Sequence, residues 1–165
     1  MKLCSKLCIV AFCLAVRTGL GEEIAIDPTR FQLEIDRQAE ARSTLADNEG
    51  RPGKEIVVTV SKPGPEFWDV EVRAPGFSFE QGKRYDLVFR AKGSQSEFVY
   101  FVLEKSDGTQ ESIARGTFLQ IPGQWVDCTV EFEVQQNAPT ARITISNLSV
   151  HQATFTFSDF RLVAK

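Results

Sequence analysis

Residues 125–134 read WVDCTVEFEV. In an extended chain Val126, Cys128, Val130, Phe132 and Val134 share one side, and Asp127, Thr129, Glu131 and Glu133 share the other. A period of two marks a β-strand with one face on a core and one in water. Residues 85–92 (YDLVFRAK) repeat the pattern, with Tyr85, Leu87, Phe89 and Ala91 inward and Asp86, Val88, Arg90 and Lys92 outward. Residues 98–104 (FVYFVLE) differ, being apolar on both sides. With Val99, Phe101 and Leu103 facing the core, Phe98, Tyr100 and Val102 form a second apolar face that a loop, a partner or a ligand must cover.

The same period extends through residues 31–36, 55–61, 67–73, 141–147 and 153–163. Breakers separate these runs: Pro63-Gly64-Pro65, Pro75-Gly76, Gly82, Asp107-Gly108 and Pro122-Gly123. Residues 77–79 read as a short separate piece, and residues 109–120 as a weaker strand region. The polar stretch 37–54 reads as a long loop with a short helical turn over 39–45. Phe155 and Phe157 lie out of phase with Phe160 and Leu162, so a bulge is expected at Ser158-Asp159. About nine or ten strands without a long helix predict an all-β antiparallel sandwich of the jelly-roll kind.

The N-terminus is read apart from this fold. Lys2 and Lys6 precede the apolar run 7–16 (LCIVAFCLAV), and Gly19 and Gly21 supply small residues before Glu22. That is the layout of a secretory signal peptide over residues 1–21, too short for a bilayer span of roughly 20 apolar residues. The expectation is a secreted or periplasmic domain over residues 22–165. Removing the leader takes Lys2, Lys6 and Arg17 and no acid, so the net charge moves from −3 to −6. So acidic a chain, without a basic run, argues against nucleic-acid binding. Of four cysteines only Cys128 remains, read as a small buried hydrophobe rather than half of a disulfide.

The order of motifs resembles carbohydrate-binding modules of the cellulase-C type, families four and nine, which are galactose-binding-like jelly rolls. The pattern of Phe67-Trp68-Asp69-Val70-Glu71-Val72, then Gly82-Lys83-Arg84-Tyr85, then Leu87-Val88-Phe89-Arg90-Ala91-Lys92, then Gln124-Trp125, and finally Asp159 before the last apolar residues is similar to that family's. The resemblance spans about residues 55–163. It implies a non-catalytic domain that binds a poly- or oligosaccharide on one sheet face. It also implies a structural calcium ion, with Asp159 as the matching ligand and Asp27, Glu34 and Asp36 as acids to complete the site. One departure stands out: Glu71 occupies a place where the family often has Gln, and an ionised Glu accepts hydrogen bonds but cannot donate them.

Candidate ligand-binding residues are Tyr100, Glu71, Arg73, Arg90 and Trp125. Tyr100 is the aromatic on the second apolar face, and Glu71, Arg73 and Arg90 have outward parity, as does Arg142. An outward salt-bridged face accounts equally well for those charges. Trp125 opens its strand with outward parity, as a sugar platform or as rim packing. Trp68 shares parity with Val70 and Val72 and reads as core. Catalysis is not expected: His151 is the sole histidine, in a late loop, and no local motif pairs Glu71 with Glu131. Asn147-Leu148-Ser149 is a glycosylation sequon. The rival to sugar binding is an envelope or extracellular protein-interaction domain using the same apolar strip.

Overall fold

The computed structural model describes residues 22–165. The expected signal peptide, residues 1–21, lies outside the described residues. Eleven strands follow in chain order: β1 Glu23–Ala25, β2 Gln32–Ile35, β3 Glu40–Asp47, β4 Lys54–Lys62, β5 Val70–Phe79, β6 Arg84–Gly93, β7 Glu97–Lys105, β8 Thr117–Ile121, β9 Val126–Glu133, β10 Ala138–Ser146 and β11 Ala153–Ala164. A single 3₁₀ turn, Pro28–Arg30, separates β1 from β2, with Asp27 capping it through the Thr29 amide at 2.9 Å.

The strands form two antiparallel sheets packed as a jelly-roll sandwich. The first runs β3-β4-β11-β6-β9, with β1 on the second half of β11, and the second runs β2-β5-β10-β7-β8. Inward residues of both sheets meet in a core rich in phenylalanine. Phe89 lies 4.9 Å from Phe101 of the other sheet and 5.3 Å from Phe160, ring centre to ring centre. Tilted and stacked pairs of this kind add to the area each ring buries. Cys128 is buried in the same core, and burial together with Asp127 raises its thiol pKa to about 11.

The bulge in β11 is present. Register with β6 shifts between Ser158 and Arg161, and Asp159 takes a left-handed φ of 57°. The extra residue turns Phe155 and Phe157 on one side of it, and Phe160 and Leu162 on the other, all toward the core.

Four segments differ from the sequence reading. Residues 40–47 are an edge strand and not a loop with a helical turn. Thr44 pairs with Val57 and Leu45 with Ile56, but β3 has one neighbour and little buried surface, so its composition is polar. The Pro75-Gly76 break does not divide β5. Gly76 (φ 89°) lets the strand bend, and the Arg30 guanidinium caps the Pro75 and Gly76 carbonyls at 2.6 and 3.0 Å. The 109–120 region is strand only at Thr117–Ile121. Phe67 and Trp68 precede β5 in a loop, so Trp68 is not a core residue: it is 41% exposed.

Candidate functional site

The outer face of the second sheet gathers the features a ligand face needs. Period-two alternation sends Glu71 and Arg73 (β5), Arg142, Thr144 and Ser146 (β10), and Phe98, Tyr100, Val102 and Glu104 (β7) away from the core. Register then sets them side by side. Arg73, Thr144 and Val102 form one row, and Ser146, Tyr100 and Phe118 the next.

Aromatic side chains form one edge of this face. Phe67 packs edge-on against Trp68 at 4.6 Å and against Tyr100 at 6.5 Å, and Tyr100 meets Phe118 at 4.7 Å. Phe98 and Phe118 are each 56% exposed, and with the exposed Phe67 and Trp68 they give this edge an apolar surface open to solvent. The second apolar face expected from residues 98–104 is therefore real but partly covered. Val102 is only 3% exposed, Tyr100 is half-buried, and Phe98 is open.

A charged floor lies beside the aromatics. Arg73 donates to Glu71 Oε2 through Nε at 3.0 Å and Nη2 at 2.6 Å, and to Glu34 Oε2 through Nη1 at 2.8 Å. Arg142 Nε and Thr144 Oγ1 both donate to Glu104 Oε2, at 3.0 and 2.7 Å. Arg142 Nη2 is buried and finds no partner among the described residues. Burial raises the Glu71 pKa, and the Arg73 guanidinium works against that rise. A cleft of about 260 Å³ joins the two features, lined by Glu34, Asp36, Trp68, Glu71, Arg73 and Gln110 among others.

The loop carrying Phe67 and Trp68 is folded by Asp69. This fully buried carboxylate accepts from the Glu66 amide at 2.9 Å, while Arg37 reaches Glu66 at 3.3 Å and lies over the Trp68 ring at 5.8 Å. Lys62-Pro63-Gly64-Pro65 marks the break before this loop, but the strand begins only at Val70, so the break by itself does not show that Phe67 and Trp68 lie outside it.

Residues 36–148 match a family model described as a carbohydrate binding domain, CBM_4_9. The chain belongs to this family. The match takes in the whole aromatic strip and the charged floor, apart from Glu34. No curated protein matches the chain in sequence. Solved structures share the fold of the module at low identity. A CBM4 domain superposes with a TM-score of 0.68 at 15% identity, over 84% of this chain and 89% of its own. The N-terminal cellulose-binding domain of Cellulomonas fimi β-1,4-glucanase C gives 0.61 at 17%, over 88% and 96%. The CBM22-1 xylan-binding domain of Paenibacillus barcinonensis Xyn10C gives 0.58 at 12%, over 88% and 96%.

The module brings Tyr100, Glu71 and Arg73 onto one face. It does not bring Arg90 and Trp125 there, because both sit on the first sheet, on the opposite side of the sandwich. Arg90 pairs with Asp127 on β9, and its guanidinium lies 4.6 Å from the Trp125 ring centre, with Lys92 Nζ at 4.7 Å. The Trp125 indole donates to Glu49 at 3.3 Å, which also binds Lys92 at 3.0 Å. That tryptophan is half-buried, with both cations against its ring. Parity along a strand separates in from out but not one sheet from the other, so five outward residues read as one set divide between two faces. Trp68, Phe118, Glu104 and Thr144 belong to the face and were not among the candidates.

Asp159 lies at the β11 bulge. Its carboxylate accepts from Asn48 Nδ2 at 2.8 Å and from Arg51 Nη1 at 3.1 Å. Calcium wants six to eight oxygens. Here a guanidinium and an amide N–H face the carboxylate, and Glu34 is bound to Arg73 on the other sheet. As arranged, these residues do not fit the ion. Among the described residues, no three His, Cys, Asp or Glu side chains gather to hold a metal, and no helix is long and apolar enough to cross a membrane.

A larger hollow, about 590 Å³, lies elsewhere, at the β6–β9 edge. Most of its charges are paired, Lys165 with Asp86 at 2.7 Å and Arg84 with Glu133 at 3.4 Å, and its aromatics, Tyr85 and Phe132, have inward parity, Phe132 being buried. Volume alone does not make it a candidate.

Proposed function

We propose that the module binds a neutral, hydroxyl-rich oligo- or polysaccharide on the outer face of the second sheet, without catalysis and outside the cell. The observation that carries this reading is the juxtaposition of a half-exposed aromatic strip with paired carboxylates and guanidiniums. A pyranose lays its C–H face on an aromatic ring, while its hydroxyls donate to carboxylates and accept from guanidinium N–H groups. The charges favour a neutral ligand. Arg73 and Arg142 are both bonded to carboxylates, and Glu34, Glu71 and Glu104 outnumber them. A uronate would meet surplus negative charge.

The same ion pairs support a non-catalytic role, since Glu71 and Glu104 are engaged by guanidiniums rather than set across an open bond. Cellulose-binding and xylan-binding relatives in fold supply the first ligands to try. Expected affinities are on the order of micromolar to millimolar, about −8 to −4 kcal/mol. One observation favours a second reading: Phe67, Phe98 and Phe118 carry no polar handle, and exposed phenylalanine suits a protein partner as well as a sugar.

The test is affinity electrophoresis and calorimetry of the 22–165 fold with hydroxyethyl-cellulose, xylan, mixed-linked β-1,3-1,4-glucan and polygalacturonate. Retention by a neutral polymer is expected, weakened about tenfold or more, roughly 1.4 kcal/mol, by Trp68→Ala or Tyr100→Ala. Arg90→Ala, on the opposite sheet, leaves it unchanged. A folded protein that none of these polymers retains would overturn sugar binding in favour of the protein-partner reading.

A further inference from the structure

The sequon Asn147-Leu148-Ser149 has a different use in the fold. It follows β10 directly and lies between the two segments that build the aromatic strip. The Asn147 backbone amide donates to the Phe67 carbonyl at 3.0 Å. The Asn147 side-chain amide Nδ2 donates to the Phe98 carbonyl at 2.5 Å. Ser149 Oγ donates to the Glu66 carbonyl at 2.5 Å, and both Leu148 and Ser149 are fully buried.

These three bonds do what strand pairing cannot. Phe67 and Trp68 sit in the loop before β5, whereas Phe98 and Tyr100 sit on β7, and β10 separates β5 from β7 in the sheet. Loops are the mobile parts of a fold. A binding surface assembled from a loop and a strand loses affinity to ordering entropy unless something holds the loop in place beforehand.

We propose that Asn147 is the positioning residue of this face, holding the Phe67–Trp68 loop and the start of β7 in the arrangement that receives a ligand. Its residue type suits two demands at once. Asn147 has a φ of 63°, a left-handed conformation that Asn tolerates far better than branched residues. It also supplies an N–H donor toward a carbonyl. Glycine meets only the first demand. Aspartate meets the first and presents a carboxylate oxygen to the Phe98 carbonyl, which cannot bond.

Asn147→Gly and Asn147→Asp test this in the full fold, each also carrying Trp125→Phe so that Trp68 is the sole tryptophan, excited selectively over tyrosine. Both variants are expected to remain folded by far-UV circular dichroism. Trp68 emission should shift to the red and its near-UV signal should fall, more in Asn147→Asp than in Asn147→Gly. Retention on hydroxyethyl-cellulose and xylan should weaken about fivefold or more, while the companion pair carrying Trp68→Phe shows Trp125 emission unchanged. An unchanged Trp68 signal in both variants would overturn the proposal. The affinity arm rests on the glycan reading of the face and the fluorescence arm does not. If the wild type binds neither polymer, that reading fails while Trp68 emission still decides the role of Asn147.

Discussion

Tyr100 owes its place to a glycine. A Cβ built on Gly116 would stand 1.9 Å from the Tyr100 hydroxyl and 2.1 Å from its Cζ, so the phenol end of the ring occupies the space that a side chain at position 116 would need. Gly116→Ala must therefore swing the ring away from Phe118 and out of the strip. The expected outcome is a glycan affinity lower by about tenfold and an altered near-UV dichroism, while the urea midpoint moves little. An unchanged affinity would remove Tyr100 from the ligand surface. At this scale reading the sequence had mixed success. Glu71 and Arg73 read as outward from the alternation of their run, and Tyr100 from the second apolar face of residues 98–104. Trp68 was misread because parity was carried through Asp69, beyond the point where the strand begins. Arg90 and Trp125 were correctly read as outward, yet nothing local says which of two sheets a strand will join.

The elements show where one residue governs many. The β11 bulge rests on Asp159, whose left-handed backbone is held by Asn48 and Arg51 from the 48–53 loop. A β-branched residue resists that conformation and cannot accept those bonds. Asp159→Val is expected to cost about 2–3 kcal/mol, from backbone strain and two lost hydrogen bonds, read as a lower urea midpoint with unchanged slope. A loss below about 0.5 kcal/mol would mean that the bulge is set by packing of Phe157 and Phe160 alone. This bulge was visible beforehand, because a phase change between two apolar runs is a local signal. The β3 strand was not, since its partner is β4 and its own side chains are mostly in water. An edge strand is defined by hydrogen bonds to a neighbour, and those leave no mark on its composition.

For the molecule as a whole, surface charge sets the response to pH. Lys54 holds Asp47, Lys92 holds Glu49, Thr109 holds Asp107 and Lys105 holds Glu111 below their ordinary values. Each contributes stability that is full above its unfolded pKa, 3.8 for Asp and 4.5 for Glu, and is lost as the pH falls through that value toward the lowered one. Glu71 acts in the opposite sense: burial raises its pKa, so its ionisation costs stability as the pH rises above 4.5. All four lowered groups are exposed, so high salt weakens their contribution. A urea midpoint that falls below about pH 4.5, less steeply in high salt, is the expected titration. A midpoint independent of pH across that range would contradict it.

By itself the sequence determined an all-β sandwich, the inward and outward faces of β6, β7 and β9, the bulge in the last strand, and a family resemblance that the comparisons bear out. These are local or nearly local properties, written in a period of two and its interruptions. Only the tertiary structure decided which strands share a sheet. That choice set Trp68, Phe67, Tyr100 and Phe118 beside Glu71, Arg73, Glu104 and Arg142, and sent Arg90 and Trp125 to the far side. It depends on pairings between residues far apart in the chain, such as Arg142 with Glu104 and Arg73 with Glu34. Alternation along one strand carries no information about them, because the partner that completes each site lies on another strand.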